Sequence, residues 1–390
     1  MKGRQPVLEA TRNLKMARSA HAYVRGSTAR FYEWLLSANG LKVPSGPPVW
    51  ICGDCHVGNL GPIANAKGQI QIEIRDLDQT VIGNPAHDLI RLGLSLASAA
   101  RGSDLPGVMT SKMIEQLIEG YELAFYGEDD AQVPKPESVE IAMKNAIGRK
   151  WKQLARERIK DTKPTIPLGK RFWPMSKAET RAIEELFETE KVRRLVTSLR
   201  ARDDNAKIKV LDAAYWVKGC SSLGNLRFAV LVGVGGANGE LCLMDIKEAV
   251  KPLAPTDPNA KMPKDNGERV VKGAWHLSPA LGDRMISASL LERSVFIREL
   301  LPQDLKFEIE HLNPDEAKSV AKFLAYIVGK AHSRQMDEAT RAAWLDTLKR
   351  QRSATLDAPS WLWSSVVDLM MAHEGAYLNH CRIYSNLIAP

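Results

Sequence analysis

The sequence predicts an α+β fold that combines a small antiparallel sheet with a larger helical part. Three strand-like runs separated by glycine-rich turns indicate the sheet, and all of them lie within residues 205–302. Helical periodicity dominates both flanking regions, over residues 103–202 and again from Asp315 onward. One helix is predicted over residues 176–202, where Ser176 and Glu179 have the spacing of a capping box. We therefore divide the chain into residues 1–204, 205–302 and 303–390, with the sheet in the middle segment.

The first segment contains the stretch around which we expect the rest of the chain to be organised, residues 50–91. An apolar run that ends at Cys52 predicts a short buried strand. The polar loop after this strand contains Asp54, His56 and Asn59.

A second strand is predicted by the alternating run over residues 69–74, and Asp76 and Asp78 stand at its end. Two strand ends thereby bring several carboxylates and the amide of Asn59 towards one place. Such oxygen ligands suit a hard divalent ion, Mg²⁺ or Mn²⁺, better than zinc. This is the arrangement that phosphoryl transfer needs, because one carboxylate accepts a proton while another and an amide hold the metal. Asp88 begins an apolar helix shortly afterwards.

Three motifs of this stretch resemble a known family. Residues 53–59, GDCHVGN, resemble the GDxHxxN catalytic loop of the aminoglycoside-phosphotransferase branch of the protein-kinase-like superfamily. Residues 76–78 resemble its metal-binding triplet, and residues 85–89 resemble its structural Asp-Leu helix start. The whole run also resembles bacterial domain-of-unknown-function family 2252 of that superfamily, whose members carry GDxHxxNFG, DFDE and DLxRLxxS motifs. Three positions depart from the family pattern: Leu60, Leu77 and Gln79.

The resemblance implies a role for each of these polar side chains. Asp54 orients and deprotonates an acceptor hydroxyl, and His56 fixes the catalytic loop. Asn59 and Asp76 hold Mg²⁺, and Asp78 assists them. The implied cofactors are ATP and Mg²⁺.

The middle segment contains three predicted strands, over residues 215–218, 226–232 and 240–247, and the last of them ends at Lys247. A glycine-bounded loop separates the first two strands, and a glycine-rich hairpin turn separates the last two. The order resembles a kinase small lobe, in which the loop covers the phosphates of ATP and the lysine contacts them. The candidate nucleotide-binding residues are Gly219, Ser221, Ser222, Gly224 and Lys247, and the candidate helix partner of Lys247 is Glu268.

In this chain the catalytic loop precedes the small lobe, whereas in kinases it follows. The resemblance therefore implies a circularly permuted, two-lobed protein-kinase-like fold, which is permissible where the natural ends lie close together at the surface. The implied function is ATP-dependent phosphoryl transfer to an unknown hydroxyl acceptor, a small molecule, a lipid head group or a protein side chain. A nucleotide-binding pseudokinase or scaffold is the alternative, because Leu77 departs from the family and Glu268 could equally face solvent.

Other readings of the same residues are less consistent with the sequence. Residues 52–56 match the C-x-x-C-H signature of c-type haem attachment, but no export signal precedes them. A redox C-x-x-C pair would need a helix that begins at its first cysteine, and Gly53 and Gly58 argue against a helix here. A zinc site would need a second Cys/His pair at ligand spacing, which the sequence lacks. The glycine run over residues 232–239 mimics a dinucleotide fingerprint, yet a strand follows it where that fingerprint needs a helix.

Composition favours anionic partners. The net charge is +8 and the sequence pI is about 9.1. Hydrophobic residues make up 44% of the chain and charged residues 26%, which is an ordinary composition for a globular protein. Nucleotides and phosphorylated substrates fit this charge, and a solvated basic surface explains it better than a nucleic-acid interface.

Residues 15–26 resemble the N-terminal motif of the same family; we interpret Arg25 as a surface or ion-paired arginine, with contact to an anionic substrate as the alternative. Five cysteines and the lack of a signal peptide or long apolar run predict a cytoplasmic protein without a membrane span.

Overall fold

The computed structural model describes residues 3–37, 42–127, 133–151, 154–155, 165–199, 202–220, 222–235, 239–305, 312–353 and 356–384. Within these residues it confirms a mixed α+β fold with thirteen α-helices and three antiparallel sheets. The helices are α1 Gln5–Met16, α2 Ala20–Gly26, α3 Thr28–Leu35, α4 Pro85–Gly102, α5 Val108–Leu123, α6 Glu137–Ile147, α7 Lys177–Glu188, α8 Glu190–Thr197, α9 Asn266–Leu277, α10 Pro279–Gly282, α11 Pro314–Ser333, α12 Glu338–Arg350 and α13 Ser360–Tyr384. The strands are β1 Val49–Ile51, β2 Leu60–Ala64, β3 Ile70–Ile74, β4 Val81–Gly83, β5 Phe172–Trp173, β6 Ile208–Trp216, β7 Arg227–Val234, β8 Glu240–Glu248, β9 Met285–Leu290 and β10 Arg293–Glu299.

Two small antiparallel pairs frame residues 53–59, which we call the catalytic loop after the motif that they resemble. The predicted strands at residues 49–52 and 69–74 are present as β1 and β3, but they do not pair with each other. β1 pairs with β4, and β3 forms a hairpin with β2, which the sequence analysis missed. All five residues of β2 are buried, and Pro62 within it conceals the strand because proline is rare inside sheets.

The large sheet has six strands in the order β5-β6-β7-β8-β10-β9. The three predicted strands are confirmed as the consecutive antiparallel neighbours β6, β7 and β8, in the predicted order along the chain. β6 begins at Ile208, earlier than predicted, and a register shift between Val210 and Asp212 interrupts its alternation. The tip of the β7–β8 turn, residues 236–238, lies outside the described residues.

The helix predicted over residues 176–202 is two helices, α7 and α8, in the described part of the chain. Ser176 caps α7 through the predicted capping box with Glu179, which is confirmed. Thr189 ends α7 with an extended backbone (φ −68°, ψ 141°) and begins α8. Both helices pack their apolar faces on the large sheet, in one hydrophobic cluster with β6 to β10.

The helical core lies on the other side of the catalytic loop. It combines α4, α5 and α11 with the buried face of β1. α5 and α11 approach closely because both present glycine at the contact: a Cβ on Gly120 would overlap the carbonyl oxygen of Lys322, and one on Gly329 would lie 2.7 Å from the carbonyl oxygen of Tyr121. This closely packed helix pair places the end of α11 against the catalytic loop, where His332 contacts Asp88.

Two further expectations can be compared with the described residues. None of the described helices combines the length and apolar character that crossing a bilayer requires. All five cysteines are free thiols.

Candidate active site

A cleft of about 650 Å³ opens between the catalytic loop, the end of β3 and the glycine-bounded loop. We call it the central cleft. Its walls bring together most of the residues that the sequence analysis selected, although these come from distant parts of the chain. The selected residues that line it are Asp54, His56, Asn59, Asp76, Gly219 and Ser222.

The catalytic loop is held from below by the first turn of α4. The carboxylate of Asp88 accepts hydrogen bonds from the backbone N–H groups of Cys52 (2.7 Å) and Gly53 (2.9 Å). It also contacts Nε2 of His332 at 3.1 Å, and Nδ1 of that ring is 3.0 Å from the hydroxyl of Tyr121. These groups are fully or almost fully buried, so Asp88 is a structural anchor, as the resemblance implies.

Gly53 is required at the start of this loop. Its φ of +74° lies in the left-handed region, and a Cβ would overlap the carbonyl oxygen of Gln79. The glycine therefore lets the loop turn tightly between β1 and the residues after β3.

Two more residues of α4, which lie on the same helix face as Asp88, form hydrogen bonds to this loop. Arg91 donates through Nε to Oδ1 of Asp54 at 2.8 Å, and Oγ of Ser95 accepts a hydrogen bond from the backbone N–H of Val57. Residues three and seven positions after Asp88 share its face of the helix, so one helix face fixes three points of the loop. The DLxRLxxS pattern contains both residues at this spacing, but no role was predicted for Arg91 or Ser95.

Asp54 is a buried carboxylate at the edge of the central cleft. Its second oxygen accepts a hydrogen bond from Oγ1 of Thr28 at 3.0 Å. Burial raises the pKa of Asp54 above its ordinary value, although the positive charge of Arg91 partly opposes this. A carboxylate with a raised pKa is a better proton acceptor than a solvated one, which suits a general base.

His56 lines the central cleft and is 4% exposed. Burial, assisted by the positive charge of Arg25, lowers its pKa well below the ordinary value. The ring is therefore neutral at pH 7, and Nδ1 has no hydrogen-bond partner among the described residues. A neutral imidazole in this position agrees with a role in loop structure or substrate contact better than with acid catalysis.

Asp76 and Asp78 meet the amine of Lys247 at the end of β3. Nζ of Lys247 lies 3.2 Å and 3.4 Å from the two oxygens of Asp76 and also forms an ion pair with Asp78. The lysine side chain is 4% exposed, whereas that of Asp76 is 46% exposed towards the cleft. Asn59 donates through Nδ2 to the backbone carbonyl of Asp54 at 2.9 Å, which fixes the amide at the same edge.

The two aspartates differ in their electrostatic environment. Although the side chain of Asp76 opens onto the cleft, the surrounding protein keeps it partly out of bulk water, which by itself would raise its pKa; the positive charge of Lys247, with Arg298 and Arg227, outweighs this and lowers the pKa. Burial and the adjacent charge of Asp76 raise the pKa of Asp78. Asp76 is therefore the carboxylate that stays ionised and faces the cleft.

This donor set fits a hard cation better than a soft one. Among the described residues no group of three or more His, Cys, Asp and Glu side chains could hold a metal by itself. Two carboxylates and an amide nevertheless suit magnesium, which keeps several waters and binds substrate phosphates. Oδ1 of Asp78 is buried without a hydrogen-bond partner in the described part of the chain, so an acceptor remains for such an ion.

The glycine-bounded loop lies over one wall of the central cleft. Gly219 and Gly224 both have left-handed φ angles, +99° and +108°. Nζ of Lys15 donates to the carbonyl oxygen of Gly219 at 2.9 Å, which ties the loop to α1. Ser222 lines the cleft, whereas the Cα of Gly224 faces the side chain of Gln5. Ser221 lies outside the described residues.

Glu268 is not brought to Lys247. It stands exposed in the first turn of α9, and the ion pairs of Lys247 among the described residues are with Asp76 and Asp78. The next residue, Arg269, is the one that points inward, and it donates to the backbone carbonyls of Asp78, Thr80 and Val250. Successive helix residues differ by about 100° in direction, so a shift of one position decides which side chain reaches the site.

A buried ion-pair network behind the cleft was also missed. Arg227 binds both oxygens of Asp245, at 2.9 Å and 2.6 Å, and Arg298 lies 3.6 Å from the same carboxylate. Arg227 and Arg298 also line the cleft. The signal was a charged residue, Asp245, within the otherwise apolar run over residues 241–246, because a buried carboxylate needs a cation beside it.

Comparison with known proteins places the chain in a family. A family model described as an uncharacterized protein conserved in bacteria (DUF2252) matches residues 4–383, so the chain belongs to this family. Searches of curated proteins and of solved structures found no match.

Proposed function

We propose that this protein is an ATP-dependent phosphotransferase with a circularly permuted, two-lobed kinase-like fold, acting in the cytoplasm. One observation carries the proposal. Lys247, from the middle of the chain, meets Asp76 and Asp78 at a cleft that also contains Asp54 and Asn59. These are the residue types that hold a nucleotide and its metal beside a base in phosphoryl transfer.

The order of elements in the sheet supports the proposal. A glycine-bounded loop joins β6 to β7, the lysine lies near the end of β8, and helix α9 follows. β9 and β10 complete the sheet, with β10 directly beside the lysine strand. This is the arrangement that the resemblance to a kinase small lobe implies.

The proposed permutation is supported by the end of α11. In the resembled enzymes such a helix directly precedes the catalytic loop, whereas here the loop comes first and 278 positions separate Asp54 from His332. His332 at its end contacts Asp88 beneath the loop, and the side chain of Gln335 hydrogen-bonds both the N–H and the C=O of Trp50 in β1. The end of α11 therefore lies beside β1 in space, although the two elements are far apart in the sequence.

The proposed phosphoryl transfer uses the residues of the central cleft in the following way. The acceptor hydroxyl binds beside Asp54, its oxygen attacks the γ-phosphorus, and its proton passes to Asp54. The new O–P bond replaces the bond between the γ-phosphorus and the bridging oxygen, so ADP leaves with the electron pair. Arg91 and Thr28 hold Asp54 in place, and Lys247 contacts the phosphates. When bound, Mg²⁺ would offset phosphate charge, with Asn59, Asp76 and Asp78 as its ligands.

The test is incubation of the purified protein with γ-labelled ATP, Mg²⁺ and a bacterial metabolite extract. A labelled product that forms with the natural protein and not with Asp54→Asn supports the proposal. Equal labelling in both samples would show that the label is transferred by something other than this site.

A nucleotide-binding pseudokinase or scaffold is the second candidate, because Glu268 does not pair with Lys247. The two candidates differ in one result. A scaffold binds Mg·ATP and gives no labelled product, in the extract or in water. A phosphotransferase gives a product whose yield rises with the amount of extract.

A further inference from the structure

The central cleft carries more positive charge than a nucleotide needs. Among the residues that the structure describes, eight lysine or arginine side chains line it, against three aspartates. Each aspartate is already paired with a cation that is not among those eight. The pairs are Asp54 with Arg91, Asp76 with Lys247, and Asp304 with Arg284.

Part of the excess lies at the back wall, beside the proposed phosphate site. Arg227 and Arg298 share Asp245 there, so two cations meet one carboxylate. Arg75 stands next to them and donates to the backbone carbonyl of Asp304, and its Nε is buried without a partner in the described part of the chain. These arginines are placed to stabilise a triphosphate, whose charge magnesium partly offsets.

A second part of the excess lies beside the catalytic loop. Lys15, Arg18 and Arg25 all come from the N-terminal helices and the turn between them. The guanidinium of Arg25 lies against Gly58 of the catalytic loop, because a Cβ on that glycine would be 3.0 Å from its Cζ. Lys15 reaches the carbonyl of Gly219, so this second cationic group spans from the catalytic loop to the glycine-bounded loop.

We infer that the phosphoryl acceptor is a small anionic hydroxyl compound whose phosphate or carboxylate group binds Lys15, Arg18 and Arg25. The inference rests on the proposed function and adds the class of its substrate. The bound anion would hold the molecule at the mouth of the cleft while its hydroxyl faces Asp54. A positively charged acceptor, such as an aminoglycoside, would be repelled by the same three side chains.

The experiment first saturates the protein with Mg·AMPPNP, which fills the nucleotide site. Inorganic phosphate, malonate and kanamycin are then titrated separately and followed by calorimetry. The first two probes distinguish a phosphate from a carboxylate, and the third tests a cationic acceptor. The same titrations use Arg18→Gln, and Arg101→Gln as a matched control that removes an exposed arginine outside the cleft.

We expect phosphate or malonate to bind the nucleotide-loaded protein and kanamycin not to bind. Arg18→Gln should weaken the anion by about tenfold, as loss of a charged hydrogen bond does, with AMPPNP affinity unchanged. The control should leave both affinities as they are. No anion binding, equal anion binding in Arg18→Gln, or binding of kanamycin alone would overturn the inference. If Mg·AMPPNP itself does not bind, the result would instead refute the proposed phosphotransferase activity, and the inference about its acceptor would fall with it.

Discussion

The amine of Lys247 lies 3.2 Å from Oδ1 of Asp76, although 171 positions separate the two residues in the chain. This contact joins the large sheet to the β2–β3 hairpin at the floor of the central cleft. The positive charge of Lys247 offsets the repulsion between the carboxylates of Asp76 and Asp78, which both pair with it. Every function that we propose depends on this meeting of the middle of the chain with its first part.

Asp54→Asn should abolish catalysis and preserve nucleotide binding. The amide cannot accept the acceptor's proton, so transfer should fall by about 10²–10⁴-fold. Asn also leaves the buried Arg91 without its anion, so the melting temperature must be measured beside the rate. Asp346→Asn, which removes an exposed carboxylate far from the loop, is the control. Retained transfer, or loss of AMPPNP binding in a folded variant, would contradict the assigned role.

Asp88→Asn should loosen the catalytic loop without touching a substrate. An amide offers one oxygen where the carboxylate offers two, so the N–H of Cys52 or Gly53 loses its acceptor. We expect a loss of about 1–3 kcal/mol in the free energy of unfolding, measured by urea titration. The turnover number should fall while AMPPNP affinity stays the same. Unchanged stability would show that the anchor is not needed.

Gly120→Ala should destabilise the packing of α5 on α11. The added methyl group overlaps the carbonyl oxygen of Lys322, which belongs to a helix backbone and cannot move aside cheaply. We expect a loss of about 1–3 kcal/mol or more in the free energy of unfolding. Gly375→Ala is the matched control, because its Cβ would meet nothing within 4 Å and alanine favours a helix by about 0.5–1 kcal/mol. Equal effects of the two substitutions would refute the close contact.

The contribution of His373 to the stability of the protein should be lost as the pH drops from about 6.5 to about 4. Burial lowers the pKa of His373 to about 4, with help from the charge of Arg91. Its Nδ1 is hydrogen-bonded to the carbonyl of Leu369, and its Nε2 is buried without a partner among the described residues. The unfolded chain binds this proton near the ordinary pKa of about 6.5, whereas the folded protein binds it only near pH 4. The free energy of unfolding therefore decreases as the pH falls below about 6.5, and the decrease levels off below pH 4.

The corresponding measurement is the urea midpoint as a function of pH. His373→Gln should give a shallower dependence in this window, and the upper bound on the effect is about 3 kcal/mol. His87, whose pKa burial also lowers to about 4, accounts for a further part, so the double variant should be flatter still. Parallel curves for the natural and variant proteins would show that His373 is not held neutral.

The sequence predicted what depends on local pattern. Alternation and glycine turns predicted β6 to β8 and the position of Lys247 near a strand end, and loop composition selected Asp54 and Asn59. Motif spacing predicted the capping box at Ser176. In each case the physical cause lies within a few neighbouring residues, so one stretch of sequence contains it.

Contacts between distant elements could not be predicted in the same way. Arg91 pairs with Asp54 only because the phase of α4 turns that side chain towards the loop, and Glu268 misses Lys247 because α9 presents Arg269 instead. The pairing of Arg284 with Asp304 depends on where β9 and the segment after β10 meet. Such relations follow from tertiary packing, which fixes helix phase and strand order together.

The most direct test of the nucleotide site is the affinity of AMPPNP by calorimetry, with Mg²⁺ and with EDTA. We expect binding that requires Mg²⁺ and that weakens at least about tenfold in Asp76→Asn and in Lys247→Gln, since each loses a charged contact. Lys251→Gln, which removes an exposed lysine a few residues further on, should bind as the natural protein does. Absence of binding, or equal affinity in all four proteins, would contradict the account.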